Sequence, residues 1–129
     1  MQQVRRAWTL PERRLALALV RRGVSGWSRN VRSVPGSPDL AFLDLKVAVF
    51  VDGCFWHGCP RHYVTPNRNV ARWRSKVAGN RRRDARVDRV LLERGWTVIR
   101  AWSCSLEDGR LTRLADSIVR TIALVKDGA

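Results

Sequence analysis

Hydrophobic positions along this chain change their spacing several times, and each change marks an element. Pro11 and Glu12 open a first helix, because proline suits the first turn and an acid suits the positive end of the helix dipole. Leu15, Leu17, Leu19 and Val20, with Ala16 and Ala18, give it a broad apolar face, and Gly23 ends it. Residues 27–31 read as a short strand, and Val34-Pro35-Gly36-Ser37-Pro38 is a turn by composition. Residues 39–43 read as a second short strand, and residues 44–46 as a tight hairpin connection. In the run that follows, Val47, Val49, Phe50 and Val51 fit a central strand covered on both faces, which Asp52-Gly53 stops.

Residues 60–69 are loop-like, since Pro60, Pro66, Asn67 and Asn69 oppose regular structure. Helical periodicity returns over residues 70–94, where Val77, Val87, Val90 and Leu91 recur among many arginines and Gly95 caps the end. Residues 96–102 read as a further strand. Residues 111–125 read as a closing amphipathic helix, with Leu111, Leu114, Ile118, Ile122 and Val125 at helical spacing. The expected order is helix, three strands, helix, strand, helix: an α/β class, with helices flanking a central mixed sheet. No internal repeat, low-complexity tract or long linker divides the chain, so residues 1–129 read as a single domain.

Composition adds a partner. The chain carries 25 Lys and Arg against 11 Asp and Glu, a formal net charge of +14, which attracts a polyanion. With 45% hydrophobic residues, a core can form without a disulfide framework. No secretory signal opens the sequence, and no apolar run approaches the roughly 20 residues that a membrane span needs. A soluble, cytoplasmic protein is therefore expected, with no membrane partner. In that reducing setting the three cysteines read as metal ligands or core residues rather than bridges.

The densest chemistry lies at residues 47–62, VAVFVDGCFWHGCPRH, where an apolar strand runs into a carboxylate, two cysteines, two histidines and a Phe-Trp pair. Phosphodiester hydrolysis requires water to approach an anionic phosphate, and a carboxylate at a strand end can hold Mg²⁺ there. Pro38-Asp39 heads one short strand and Asp52 ends the next. This arrangement resembles the PD-(D/E)xK or restriction-endonuclease-like nuclease core. The run Phe50-Val51-Asp52-Gly53-Cys54-Phe55-Trp56-His57-Gly58-Cys59-Pro60 resembles more specifically the very-short-patch-repair (Vsr-type) DNA mismatch endonucleases, a branch of that fold. Pro35-Gly36-Ser37-Pro38-Asp39, Trp73 with Asn80, Arg83 and Asp84, Gly95-Trp96-Thr97-Val98, and Trp102-Ser103-Cys104 extend the resemblance from about Pro11 to Leu106.

The resemblance implies that Asp39 is the main Mg²⁺ ligand, joined by the carbonyl of Val51. It places His57 beside the attacked phosphate, where a group titrating near neutrality orients or deprotonates water. Asp52 stands where some family members carry His, so it reads either as a further metal ligand or as a proton carrier. Glu12 matches a helix acid that supports the active site in the family, and reads equally as a favourable charge at a helix start.

Cys54, Cys59, His62 and Cys104 make a closed tetrahedral donor set suited to structural zinc. They match the family's zinc positions, with Cys and His partly exchanged; otherwise the cysteines are small buried hydrophobes. Trp96 and Trp102 read as core. Phe55 and Trp56, with Trp73, match aromatic rings that the family inserts between base pairs next to a T:G mismatch, where stacking offsets the cost of unstacking. Met1 falls at about the position of a methionine that the family carries on a longer basic arm and inserts into the minor groove. Arg72, Arg74, Lys76, Arg81, Arg82, Arg83 and Arg86 give the long helix a positive surface for phosphate contacts, with Arg5 and Arg6 as additions.

The function implied is nicking of double-stranded DNA on the 5′ side of the T in a T:G mismatch, the product of 5-methylcytosine deamination. Mg²⁺ would serve catalysis and Zn²⁺ structure, the protein would act as a monomer, and mismatch-repair proteins are candidate partners. Two other readings fit the same residues: a sequence-specific restriction-type or nicking endonuclease, and a zinc DNA-binding module without catalysis.

Overall fold

A computed structural model describes residues 10–53, 68–103 and 110–128. The order along the chain is α1 (Leu10–Arg21), β1 (Ser28–Arg29), β2 (Leu40–Phe42), β3 (Val47–Asp52), α2 (Val70–Glu93), β4 (Thr97–Trp102) and α3 (Leu111–Gly128). This is the order expected from the pattern. The strands form one sheet in the order β1-β2-β3-β4. β1 and β2 are antiparallel, as are β2 and β3, whereas β3 and β4 are parallel. A parallel neighbour requires a crossover, and α2 supplies it.

β3 is an interior strand, which explains its unbroken apolar run: Val47, Ala48, Val49 and Phe50 are all buried. Its alternate residues serve different layers. Val47 and Val49, with Leu40 and Phe42 of β2, pack against Leu15, Ala18 and Leu19 of α1 and Ala115, Ile118 and Ile122 of α3. Ala48 and Phe50 face the other way, towards Val34, Leu91 and Val87. Each of the fully buried Leu15, Leu19, Leu91 and Ile118 contributes about 1.5–3 kcal/mol. Arg22, just past α1, ties the two helices of the first layer together by donating from Nε to Asp116 Oδ1 at 2.8 Å.

Several boundaries differ from the pattern for local reasons. β1 is shorter than residues 27–31 because Asn30 adopts a positive φ of 47°, and Trp27 instead packs edge-on against Phe42, with centroids 6.2 Å apart. Asp39 and Leu43 fall outside β2: Asp39 turns its side chain towards β3, and Leu43 begins the turn. The apolar face of α1 is narrower than expected, since Leu17 and Val20 are exposed. Arg94 is the C-cap of α2 and β4 starts at Thr97, after Gly95 at φ 86°. α3 runs on to Gly128. Trp96 and Trp102, expected in the core, are both half-buried, Trp96 against the α2-side cluster. The loop expected over residues 60–69 lies outside the described residues except for its last two. Among the described residues, no helix is long and apolar enough to cross a membrane.

Candidate active site

Asp39 is positioned by the turn that precedes it. The Ser37 amide donates to the Val34 carbonyl at 2.9 Å, closing a four-residue turn with Pro35 second and Gly36 third at φ 81°, the residues that a type II turn favours. A Cβ on Gly36 would lie 2.6 Å from Val87 Cγ1 and 3.1 Å from Phe50 Cε1, so only glycine lets the turn sit this close to β3 and α2. Pro38 is fully buried after it. The Asp39 carbonyl then accepts from the Asn30 amide at 3.1 Å, and the Pro38 carbonyl from the Val31 amide at 3.3 Å, so the two residues that follow β1 hold the backbone on both sides of the aspartate.

The carboxylate reaches the end of β3. Val51 donates its amide to Asp39 Oδ2 at 2.6 Å, a charge-assisted bond that replaces a ladder partner where β2 has already ended. In a strand the amide and carbonyl of one residue point to the same side, so the Val51 carbonyl is directed towards Asp39's flank. One carboxylate and one carbonyl at a strand tip are both hard oxygen donors of the kind that Mg²⁺ takes. Asp39 is half-buried, neither sealed in the core nor fully in solvent.

Asp52 is placed differently. Arg100 Nη1 donates to its Oδ1 at 2.9 Å and to its Oδ2 at 3.2 Å, from the neighbouring strand β4. The same guanidinium donates from Nε to Asp88 Oδ1 at 2.8 Å, lies 3.8 Å from Asp84 Oδ1, and sits 4.2 Å over the Phe50 ring. Burial alone would lower the Arg100 pKa, but the charge of Asp52, the hydrogen bond to Asp88 and the charges of Asp84 and Asp88 outweigh it and the net direction is upward. A cavity of about 350 Å³ opens beside this cluster, lined by Asp52, Arg81, Asp84, Asp88, Arg100 and Trp102 among others. Arg100 escapes the motif reading. Its signal is a cation between Ile99 and Ala101 in an otherwise apolar strand, a residue that must find a partner if it is covered.

Glu12 is only 5% exposed and is not without a partner. Spaced three and seven residues before Leu15 and Leu19, it lies on the sheet-facing stripe of α1, where a residue serving only the helix dipole need not be.

α2 presents the expected basic face. Arg72, Arg74, Lys76, Arg81, Arg82, Arg83 and Arg86 are exposed, while Val77 and Leu91 are buried. Asp84 and Asp88 turn inward to Arg100, so the acids nearest in sequence do little to balance the outward arginines. Trp73 is half-buried, with Lys76 Nζ 5.9 Å from its ring. Of the other expected site residues, Met1, Phe55, Trp56 and His57, and the four zinc candidates Cys54, Cys59, His62 and Cys104, lie outside the described residues, as do Arg5 and Arg6. Among the described residues, no three His, Cys, Asp or Glu side chains converge as a metal-holding group.

Among the described residues, a four-stranded mixed sheet between helical layers, with an aspartate of one strand's approach bonded to the tip of the next, defines a restriction-endonuclease-like α/β domain. Residues 1–62 match the family model of the DNA mismatch endonuclease Vsr. The type II nicking enzyme V.XorIIP of Xanthomonas oryzae is 37% identical over 110 residues, covering 84% of this chain and 79% of the relative. The type II nicking enzyme V.NaeI of Lentzea aerocolonigenes is 42% identical over 106 residues, covering 79% of this chain and 64% of the relative. The DNA mismatch endonuclease Vsr of Escherichia coli is 33% identical over 99 residues, covering 76% and 63%. The chain thus belongs to the Vsr family, and its match spans somewhat under two thirds of the length of the Lentzea and Escherichia proteins.

Proposed function

We propose that this protein is a Mg²⁺-dependent endonuclease that nicks one strand of duplex DNA on the 5′ side of the T in a T:G mismatch. The observation that carries the reading is the Asp39 carboxylate bound to the Val51 amide at 2.6 Å, with the Val51 carbonyl directed to the same flank. Asp39 and that carbonyl would hold the ion. Bound there, Mg²⁺ supplies screening of the phosphate charge and a more acidic water. Asp39 itself is oriented in advance by the 34–37 turn and by Asn30, so little reorganisation is needed when DNA arrives. His57 would orient the water or carry protons to and from it, and buried Glu12 would support the site from α1. The basic face of α2 would grip phosphates, and Phe55, Trp56, Trp73 and Met1 would probe the weakened base pair.

Zinc would pin the segment after β3. Cys54 and Cys104 each follow, two residues on in the sequence, a member of the Asp52–Trp102 pair of parallel strands, and with Cys59 and His62 they complete a four-donor set.

A second reading has its own support. Two of the relatives named above are called type II nicking enzymes, so the target of this chain would be a defined sequence, cut whether matched or mismatched. Strand-resolved cleavage of paired duplexes of one sequence, matched and T:G, with and without Mg²⁺, separates the two. Nicking confined to the T strand of the mismatched duplex is the expected result. Equal nicking of both duplexes removes the mismatch assignment, and no nicking with any divalent ion removes the enzyme.

A further inference from the structure

We infer that Arg100 is a positioning residue of the nicking centre, clamping the tip of β3 to the DNA-facing helix α2 through Asp52, Asp84 and Asp88; this rests on the reading of Asp39 and Val51 as the metal-holding pair. Arg100 is paired in register with Phe50 across the parallel strands, and its guanidinium lies over the Phe50 ring. From there it reaches forward along β3 to grip both oxygens of Asp52, the residue directly after Val51. Its Nε is committed to Asp88, one strand-to-helix step away. A planar fork held by two carboxylates and a ring has little freedom to rotate, and its side chain is only 19% exposed.

Two consequences follow from this geometry. The Val51–Asp52 peptide, which carries the carbonyl proposed to face the ion, is fixed from one side by Asp39 through the Val51 amide and from the other by Arg100 through the Asp52 side chain. Asp52, in turn, has its charge matched by a fixed cation, so its task is to anchor Arg100 rather than to bind metal or carry a proton. The same clamp joins α2 to the nicking centre, so a displacement of the basic face on binding DNA would reach the carbonyl through three side chains.

The test uses the full chain with a cleavable duplex, varying Mg²⁺ and DNA separately. Arg100→Gln is expected to raise the half-saturating Mg²⁺ concentration and to lower kcat by about 10- to 100-fold, leaving KM for DNA within about twofold, because the cost is misplacement rather than lost contact. Arg100→Lys, which keeps the charge but loses the fork, is expected to recover part of the activity. If Arg100→Gln does not fold, Arg100→Lys is read alone, through its Mg²⁺ dependence. Wild-type Mg²⁺ dependence and kcat in a folded variant overturn the inference, and loss of folding in both variants overturns it in favour of a purely structural ion pair. Asp39→Asn serves as the control: if it nicks as the wild type does, the metal-holding reading has failed, whereas its inactivity beside a fully active Arg100→Gln rejects Arg100 alone.

Discussion

The Asp39 carboxylate and the Val51 amide meet at 2.6 Å, and the bond does two things at once: it closes an unpaired position at the end of β3 and it sets an anion at the strand tip. These roles separate by substitution. Asparagine at position 39 keeps a carbonyl oxygen that can accept from Val51, and it loses the charge. Asp39→Asn is therefore expected to melt within a few degrees of the wild type, to bind DNA, and to lose nicking by at least about 100-fold. Asp39→Ala also leaves the amide without its acceptor and should cost a further 1–3 kcal/mol or so of stability. Denaturant unfolding and a nicking assay on both variants check this, and an active Asp39→Asn would refute it.

Gly36 supports Asp39 at a distance of three residues. A methyl group there meets Val87 Cγ1 at 2.6 Å, and the backbone sits at φ 81°, where a side chain is strained. Gly36→Ala should destabilise the fold by about 1–3 kcal/mol. It should also lower nicking beyond what the loss of folded protein explains, because relief of the clash pushes the turn and Asp39 away from β3. Measured stability and specific activity, compared with Gly26→Ala, distinguish the two contributions. Gly26 has a positive φ of 91° too but no atom near its added Cβ, so that variant should carry backbone strain without the displacement.

The order of elements is legible in the sequence because the layers impose different periods. β3, covered on both faces, reads as an unbroken apolar run, and α3, covered on one, reads as a stripe from Leu111 to Val125. The short strands are less sharp because their ends are decided by single residues, such as Asn30 at positive φ. Asp39 is legible because a proline-rich turn and a following strand frame it. Its bond to Val51 is not, since that depends on how far β2 continues. Arg100 is legible only as an oddity in an apolar strand. Its partners lie 48 residues back at Asp52 and 12 back at Asp88, and only the parallel pairing of β3 with β4 under α2 brings them together.

The exposed arginines of α2 should act on affinity rather than on chemistry. Each phosphate contact removed is expected to reduce the slope of log affinity against log salt by about 0.9. Replacing Arg72, Arg74, Arg82 and Arg83 singly by Ala should weaken matched and T:G duplexes alike, with kcat at saturating DNA unchanged. Binding isotherms at several salt concentrations give the slopes. A loss restricted to the mismatched duplex would mean that the helix reads bases as well as phosphates.

The Arg100 cluster carries a sign for pH. Its guanidinium pKa is raised, with burial opposing and Asp52, Asp88 and Asp84 prevailing, so the cation is held more tightly in the folded chain than in the unfolded one. A raised cationic pKa contributes stability that is complete below the unfolded value and is lost only as pH climbs through the folded one. That window lies beyond the ordinary guanidinium range. The stability difference between the wild type and Arg100→Gln should therefore stay flat from about pH 7 to about pH 10. For Arg100→Lys the difference should grow towards the upper end as an ammonium begins to deprotonate. Thermal melts across that interval test both, and a wild-type advantage that fades by about pH 10 would contradict the assignment.

The zinc proposal is checked without reference to nicking. Purified protein should contain about one zinc per chain, and Cys59→Ala or Cys104→Ala should lose it, since three remaining donors no longer close the tetrahedron. Binding energy of a structural metal is folding energy. A strong chelator should accordingly lower the melting temperature of the wild type and leave the Cys104→Ala variant, already without metal, where it was. Added Zn²⁺ should reverse the first effect and not the second, whereas Mg²⁺ should reverse neither. Protein free of zinc as purified, melting at one temperature with and without chelator, would reduce the cysteines to small hydrophobic residues and leave the segment after β3 to be held by packing alone.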